Sequence, residues 1–124
     1  MNVLLIDADT DLTGRIRLLL EPAGVRVIVA EDGLAGVEKA HAERPALILV
    51  NSELRRLTGV EAVRIIKAVP RLAEIPVIMM TAQADPETIR EAVEVGAVDF
   101  ILKSALREAN AAERILKRLR PAKQ

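Results

Sequence analysis

The chain has 124 residues, 51% hydrophobic and 29% charged, with 18 Lys and Arg against 18 Asp and Glu. That length and balance describe one folded domain, exclude a disordered chain, and leave no global charge to draw it to nucleic acid or a membrane surface. With no cysteine and one aromatic residue, Phe100, a disulfide framework, thiolate chemistry and stacking on bases or flavins are excluded, and a cytoplasmic location is expected.

In chain order, Val3–Ile6 reads as a first strand closed by Asp7. Asp9, Thr10 and Asp11 offer caps for a helix carrying Ile16, Leu19 and Leu20 and ending near Pro22-Ala23-Gly24. Val25–Ala30 is a second strand, and Asp32 caps a helix through Leu34, Val37 and Ala40 that stops before Pro45. The run Ala46-Leu47-Ile48-Leu49-Val50 reads as a fully buried strand, with Asn51 at its end. A loop to Thr58 leads to a helix over Gly59–Val69, ended by Pro70. Pro76–Met80 is the fourth strand, and Asp85-Pro86-Glu87 starts a helix that runs to Gly96, which is placed for a left-handed cap. Val98–Leu102 is the fifth strand, and a last helix is expected from Ser104 to about Arg120. No run approaches the ~20 apolar residues that span a bilayer. The chain enters a strand at once, with no basic region or cleavage site, so no signal peptide is expected.

Strand and helix thus alternate five times with short connections, the pattern of a parallel sheet covered on both faces by right-handed crossovers. In such a sheet the carboxyl ends of the strands share an edge where sites gather. Asp7, Asn51, Thr81 and Lys103 all fall there. An amide at that edge is neither a charge nor a useful nucleophile, which makes Asn51 decisive.

These residues and the stretches around them resemble the receiver domains of two-component response regulators. The matching pieces are Val3-Leu4-Leu5-Ile6-Asp7-Ala8-Asp9, Ala30-Glu31-Asp32-Gly33, Pro45–Asn51, Gly59, Ile75–Ala82 and Gly96–Lys103. The resemblance covers nearly the whole chain, so residues 1–124 are expected to form a single receiver-like domain. It implies a flavodoxin-like, doubly wound (βα)5 fold with strand order 2-1-3-4-5. In that family an acidic pair binds magnesium, an aspartate ending the third strand accepts a phosphoryl group, and a hydroxyl and a lysine contact it. Carried over by position, Asp7 matches the first acid, Thr81 the hydroxyl, Lys103 the ammonium and Phe100 the aromatic that follows the switch. Ala8 stands at the second acidic position and Asn51 at the phosphoacceptor. Arg55 and Ser104 stand where the family usually has proline, which takes away the basis for a cis peptide at Ser104.

The matched positions leave Asp7 against Lys103, a pair that neutralises itself without metal. Magnesium needs carboxylates or phosphates to offset its dehydration, so no metal or other cofactor is expected, and Asp7 is the one residual ligand. Asp9 completes a residual acidic pocket, although capping a helix is its simpler role. The Asn51 amide can donate to Asp7 and accept from Lys103, and one guanidinium of Arg55 or Arg56 can occupy the vacated cation site. His41, the only histidine, reads as a surface residue. On the last helix Ala105, Ala109, Ala112, Leu116 and Leu119 form an apolar stripe adjoined by Leu106 and Ile115, most of it facing the sheet. Lys117, Arg118, Arg120 and Lys123 give that helix a basic end.

The reading is a receiver that is not an enzyme and acts independently of phosphorylation. It binds a protein partner or a second copy through the fourth helix, fifth strand and fifth helix. The alternative is a phosphorelay receiver whose acceptor aspartate was replaced by Asn51 through engineering.

Overall fold

In a computed structural model that describes residues 1–119, five parallel strands form one sheet in the order β2-β1-β3-β4-β5. They are β1 (Asn2–Ile6), β2 (Arg26–Ala30), β3 (Leu47–Asn51), β4 (Val77–Thr81) and β5 (Asp99–Leu102). The helices are α1 (Thr10–Leu20), α2 (Gly33–Glu43), α3 (Gly59–Lys67), α4 (Pro86–Glu94) and α5 (Ala111–Leu116). The order 2-1-3-4-5 is the flavodoxin-like one, and its topological switch lies between β1 and β3.

Alternation along the strands feeds two cores. Val3, Leu5, Leu47, Leu49, Ile78 and Met80 pack with Ile16 and Leu20 of α1 and Ile115 of α5. Leu4, Ile6, Ile48, Val50, Val77 and Met79 pack on the other face with Val63 and Ile66 of α3 and Ala92 of α4. Each fully buried Leu or Ile contributes roughly 1.5–3 kcal/mol relative to exposure, so β1 and β3, buried on both faces, hold the sheet's centre. The strand register is continuous, with Val3 opposite Leu47 and Ile6 opposite Val50, so Asp7 and Asn51 leave their strands side by side.

Helix starts follow the sequence signals. Asp9 accepts from Asp11 N and Leu12 N, Asp32 from Ala35 N, and Asp85 from Thr88 N. Thr58 and Glu61 close a reciprocal capping box at the start of α3. Gly24 and Gly96 have φ of 82° and 87° and turn the chain after α1 and α4. At the amino edge, Lys67 donates to Ala73 O and Ile75 O at 2.9 and 2.8 Å, and burial pushes its ammonium pKa down.

The last helix departs from expectation. Instead of one helix from Ser104, a 3₁₀ segment covers Lys103–Arg107 and α5 covers only Ala111–Leu116. Glu108 is extended (φ −76°, ψ 151°), and Asn110 heads α5 without a side-chain cap. The break rotates the apolar stripe. Leu106, Ala111 and Ile115 are the buried positions, whereas Ala109 is exposed and Ala105, Leu116 and Leu119 are half-buried. Arg120 and Lys123 lie outside the described residues. No helix among the described residues is long and apolar enough to cross a membrane.

Candidate functional site

Asp7 stands just past β1 and is only 3% exposed. A buried carboxylate is costly unless its oxygens are matched, and here one is hydrogen-bonded and the other faces a counter-charge. Oδ1 accepts from Asp9 N at 3.0 Å and from Asn51 Nδ2 at 3.3 Å. Lys103 Nζ lies 3.0 Å from Oδ2, off the direction of a regular hydrogen bond, so its hold on that oxygen is chiefly electrostatic. Lys103 itself is 22% exposed at its side chain, placed by the turn from β5 into the 3₁₀ segment.

Asn51, the last residue of β3, spends both ends of its amide. The nitrogen donates to Asp7, and Oδ1 accepts from Glu53 N at 3.0 Å. The expected acceptance from Lys103 is therefore replaced by a backbone donor of its own loop, because the ammonium goes to the stronger acceptor, the carboxylate. The loop returns over Asn51, where Gly59 N donates to Ser52 O at 3.2 Å. A Cβ at Gly59 would run into the Asn51 carbonyl oxygen and come within 2.9 Å of Ser52 Cα, so this approach requires glycine.

Other expected residues are placed differently. The Asp9 carboxylate faces its own helix start, so only its N–H reaches Asp7. Neither loop arginine pairs with Asp7. Arg56, at φ 72°, lies 3.7 Å from Asp32, and the one described cation on Asp7 is Lys103. The expected guanidinium pairing with Asp7 is thus not formed: the left-handed turn at Arg56 sends its side chain to Asp32, and Arg55 lines the cavity beside Asp7 without pairing with it. Thr81 is 2% exposed, and its hydroxyl donates to Gln83 O and accepts from Gln83 N at 3.0 and 3.3 Å. The hydroxyl thus closes the turn after β4. Phe100 is half-buried against the core that includes Met79 and Ala92. His41 is partly exposed, with Nδ1 3.1 Å from Arg71 Nη2.

A cavity of about 430 Å³ opens beside this cluster between Asp7, Ala8, Glu31, Asn51, Arg55 and Thr58. A divalent ion of the magnesium kind requires several oxygen ligands and favours carboxylates. The side chains here do not fit one. Ala8 brings no oxygen, Asp9 is turned to α1, Asp7 is already matched, and no group of three His, Cys, Asp or Glu among the described residues is placed to hold a metal. No cis peptide bond occurs among the described residues.

One pair had no announcement in the sequence. Arg114 of α5 grips Asp99 of β5 with Nε on Oδ2 and Nη2 on Oδ1, both at 2.9 Å, and Nη2 also donates to Phe100 O at 3.0 Å. The guanidinium beside Asp99 holds its carboxyl below the usual range. Only a fifteen-residue separation links the two residues, and neither helical nor strand spacing marks it.

Over residues 3–119 the chain matches the model of the response regulator receiver domain. It is 37% identical over 106 residues to protein-glutamate methylesterase/protein-glutamine glutaminase 5 of Geobacter metallireducens, a match that covers 84% of this chain and 29% of that protein. It is 34% identical over 123 residues to the nitrogen assimilation regulatory protein NtrX of Azorhizobium caulinodans, covering 96% of this chain and 27% of that one. The chain therefore spans less than a third of the length of either relative. Among solved structures, the chemotaxis protein CheY4 of Vibrio cholerae superposes with a TM-score of 0.85 at 25% identity, covering 96% of this chain and 98% of that one.

Proposed function

Because this chain belongs to the response regulator receiver family, the signalling domain of two-component systems, we propose that it works by engaging a protein partner without accepting a phosphoryl group. The observation that carries this reading is the Asn51 amide, bound through nitrogen to Asp7, whose other oxygen faces Lys103. Phosphoryl transfer to a carboxylate requires a nucleophilic oxygen and a cation to offset the crowded negative charge. An amide supplies no such oxygen, and the charges of Asp7 and Lys103 already cancel. With Ala8 at the second acidic position, the pocket keeps its walls without the groups that recruit metal.

Binding rather than chemistry then defines the domain's role, in the cytoplasm where such pathways act. The surface best suited to it is formed by α4, β5 and α5. There Ile89 and Val93, one turn apart on α4, and Val98 before β5 stay exposed. Apolar side chains gathered in this way mark interaction sites more often than chance exposure does.

The test incubates the protein with a small phosphodonor and Mg²⁺ and reads intact mass, with Asn51→Asp and Asn51→Asp/Ala8→Asp alongside. The expected result is no phosphate adduct on the natural sequence and none or a trace on Asn51→Asp, with gain only when both carboxylates are present. An adduct on the unaltered chain mapping to Asp7, Asp9 or Ser52 would overturn the reading. Full phosphorylation of Asn51→Asp alone would show that the metal site survives without Asp at position 8.

A further inference from the structure

β2 is the outermost strand on its side of the sheet. Arg26 N donates to Met1 O and Ala30 O accepts from Asp7 N, so Arg26, Ile28 and Ala30 turn their backbone groups toward β1. By strand alternation Val27 and Val29 turn theirs outward. An edge with open N–H and C=O groups is a template for another strand. This one is rich in β-branched residues and has neither Pro nor Gly between Arg26 and Ala30.

One of its outward acceptors is already taken. Arg17 of α1 donates from Nη1 to Val27 O at 3.2 Å, and Glu21, one turn on, steadies the same nitrogen at 3.4 Å. Val27 is only 4% exposed although it lies on an edge strand. We propose that Arg17 guards this edge, and that antiparallel pairing of β2 with β2 of a second copy of this chain is the assembly it holds off.

The edge is self-complementary in one orientation. A two-fold axis through Ile28 sets Val27 of one copy opposite Val29 of the other, so outward donors meet outward acceptors on both sides. The same axis lays the exposed, basic start of each strand, Arg26, along the Ala30–Asp32 stretch of its partner, where Glu31 and Asp32 carry the opposite charge. Parallel alignment sets like charges together instead. A cation standing over the edge carbonyl is a common way for sheet proteins to blunt an edge.

The test compares Arg17→Met, which keeps the apolar stem and loses the donor, with Glu21→Gln, a surface change that loosens the guanidinium without touching the core. Mass is followed by light scattering across rising concentration, and amide exchange is read at Val27 and Val29. Arg17→Met is expected to approach twice the monomer mass where the unaltered protein keeps its own mass, with both amides gaining protection as concentration rises. Glu21→Gln is expected to show a smaller shift in the same direction. Adding Val29→Lys to Arg17→Met, which places a charge on the edge, is expected to restore the original mass. Masses unchanged in both single variants overturn the proposal, as does a raised mass that persists with Val29→Lys.

Discussion

The cluster at the end of β1 and β3 and the face built on α4, β5 and α5 are satisfied to very different degrees. Around Asp7 one carboxylate oxygen accepts two hydrogen bonds and the other faces the Lys103 ammonium, Asn51 is buried beside it, and the returning loop is seated on a glycine that admits no side chain. On the α4 side a nine-residue helix has Ala92 as its one buried residue, and Val93 is 70% exposed. Its ion pairs, Arg90 with Glu87 and Glu94, run along its own surface and contribute little to holding it in place. A region whose polar groups satisfy one another gains nothing from a further ligand. A region that leaves apolar area in water gains from every contact a partner makes. The contrast supports the proposal of a fixed pocket around Asp7 and a partner-binding face on α4, β5 and α5.

Removing the cation should break this contrast most severely. Lys103→Met leaves the buried Asp7 carboxylate without its counter-charge, and a stability loss of about 3 kcal/mol in urea unfolding is expected. A loss below about 0.5 kcal/mol, the scale of an ordinary surface change, would mean that the pocket is not held by this pair. Asn51→Asp acts next. It replaces a donor 3.3 Å from Asp7 with a second negative charge, so the melting temperature should fall by the equivalent of about 1–2 kcal/mol and partly recover on adding Mg²⁺. Recovery that persists after chelation would exclude cation binding as its cause.

The clamp between the sheet and α5 gives a smaller, pH-dependent term. Hydrogen bonding from Arg114 depresses the Asp99 pKa in the folded protein below the ordinary value of 3.8. The stabilisation is therefore fully present above the unfolded value and lost as pH falls through the folded one. Asp99→Asn should cost on the order of 1 kcal/mol at neutral pH, with the difference from the unaltered chain closing in acid below about pH 4. A gap that stays constant through that acid range as well would remove charge from the account. Smallest for stability is Ile89→Ser/Val93→Ser, expected to cost less than about 1 kcal/mol while weakening partner capture, because Val93 is 70% exposed and Ile89 40%. Stability lost in step with binding would mean that they serve the fold instead.

Much of the architecture could be read from the chain. The apolar runs ending at Asp7, Asn51, Thr81 and Lys103 brought four distant residues to one edge, since a parallel sheet buried on both faces leaves its strands few other readings. The caps at Asp9, Asp32 and Asp85 were equally legible because capping is local chemistry. Legibility failed where the outcome depends on competing partners. Spacing places Asn51 near both Asp7 and Lys103, but it does not say that Lys103 goes to Asp7 while Glu53 N takes the amide oxygen. The arginines at 55 and 56 are adjacent to the pocket in sequence, yet the left-handed turn at Arg56 carries its guanidinium to Asp32. The last helix read as continuous because its composition is helical throughout, and the extended residue Glu108 that divides it leaves no periodic mark.

The class of fold, the edge at which a site can form, and the amide and methyl that stand there at positions 51 and 8 were legible in the chain. Those follow from residue type and from period, which act over a few neighbours at a time. Tertiary structure alone decided how the remaining charges pair, which side of the broken last helix is buried, and that Arg114 reaches back to Asp99 and Arg17 to the edge of β2. Each of those outcomes is a contest, among donors for one acceptor or among side chains for one buried face, and only the packed chain brings the contestants within reach.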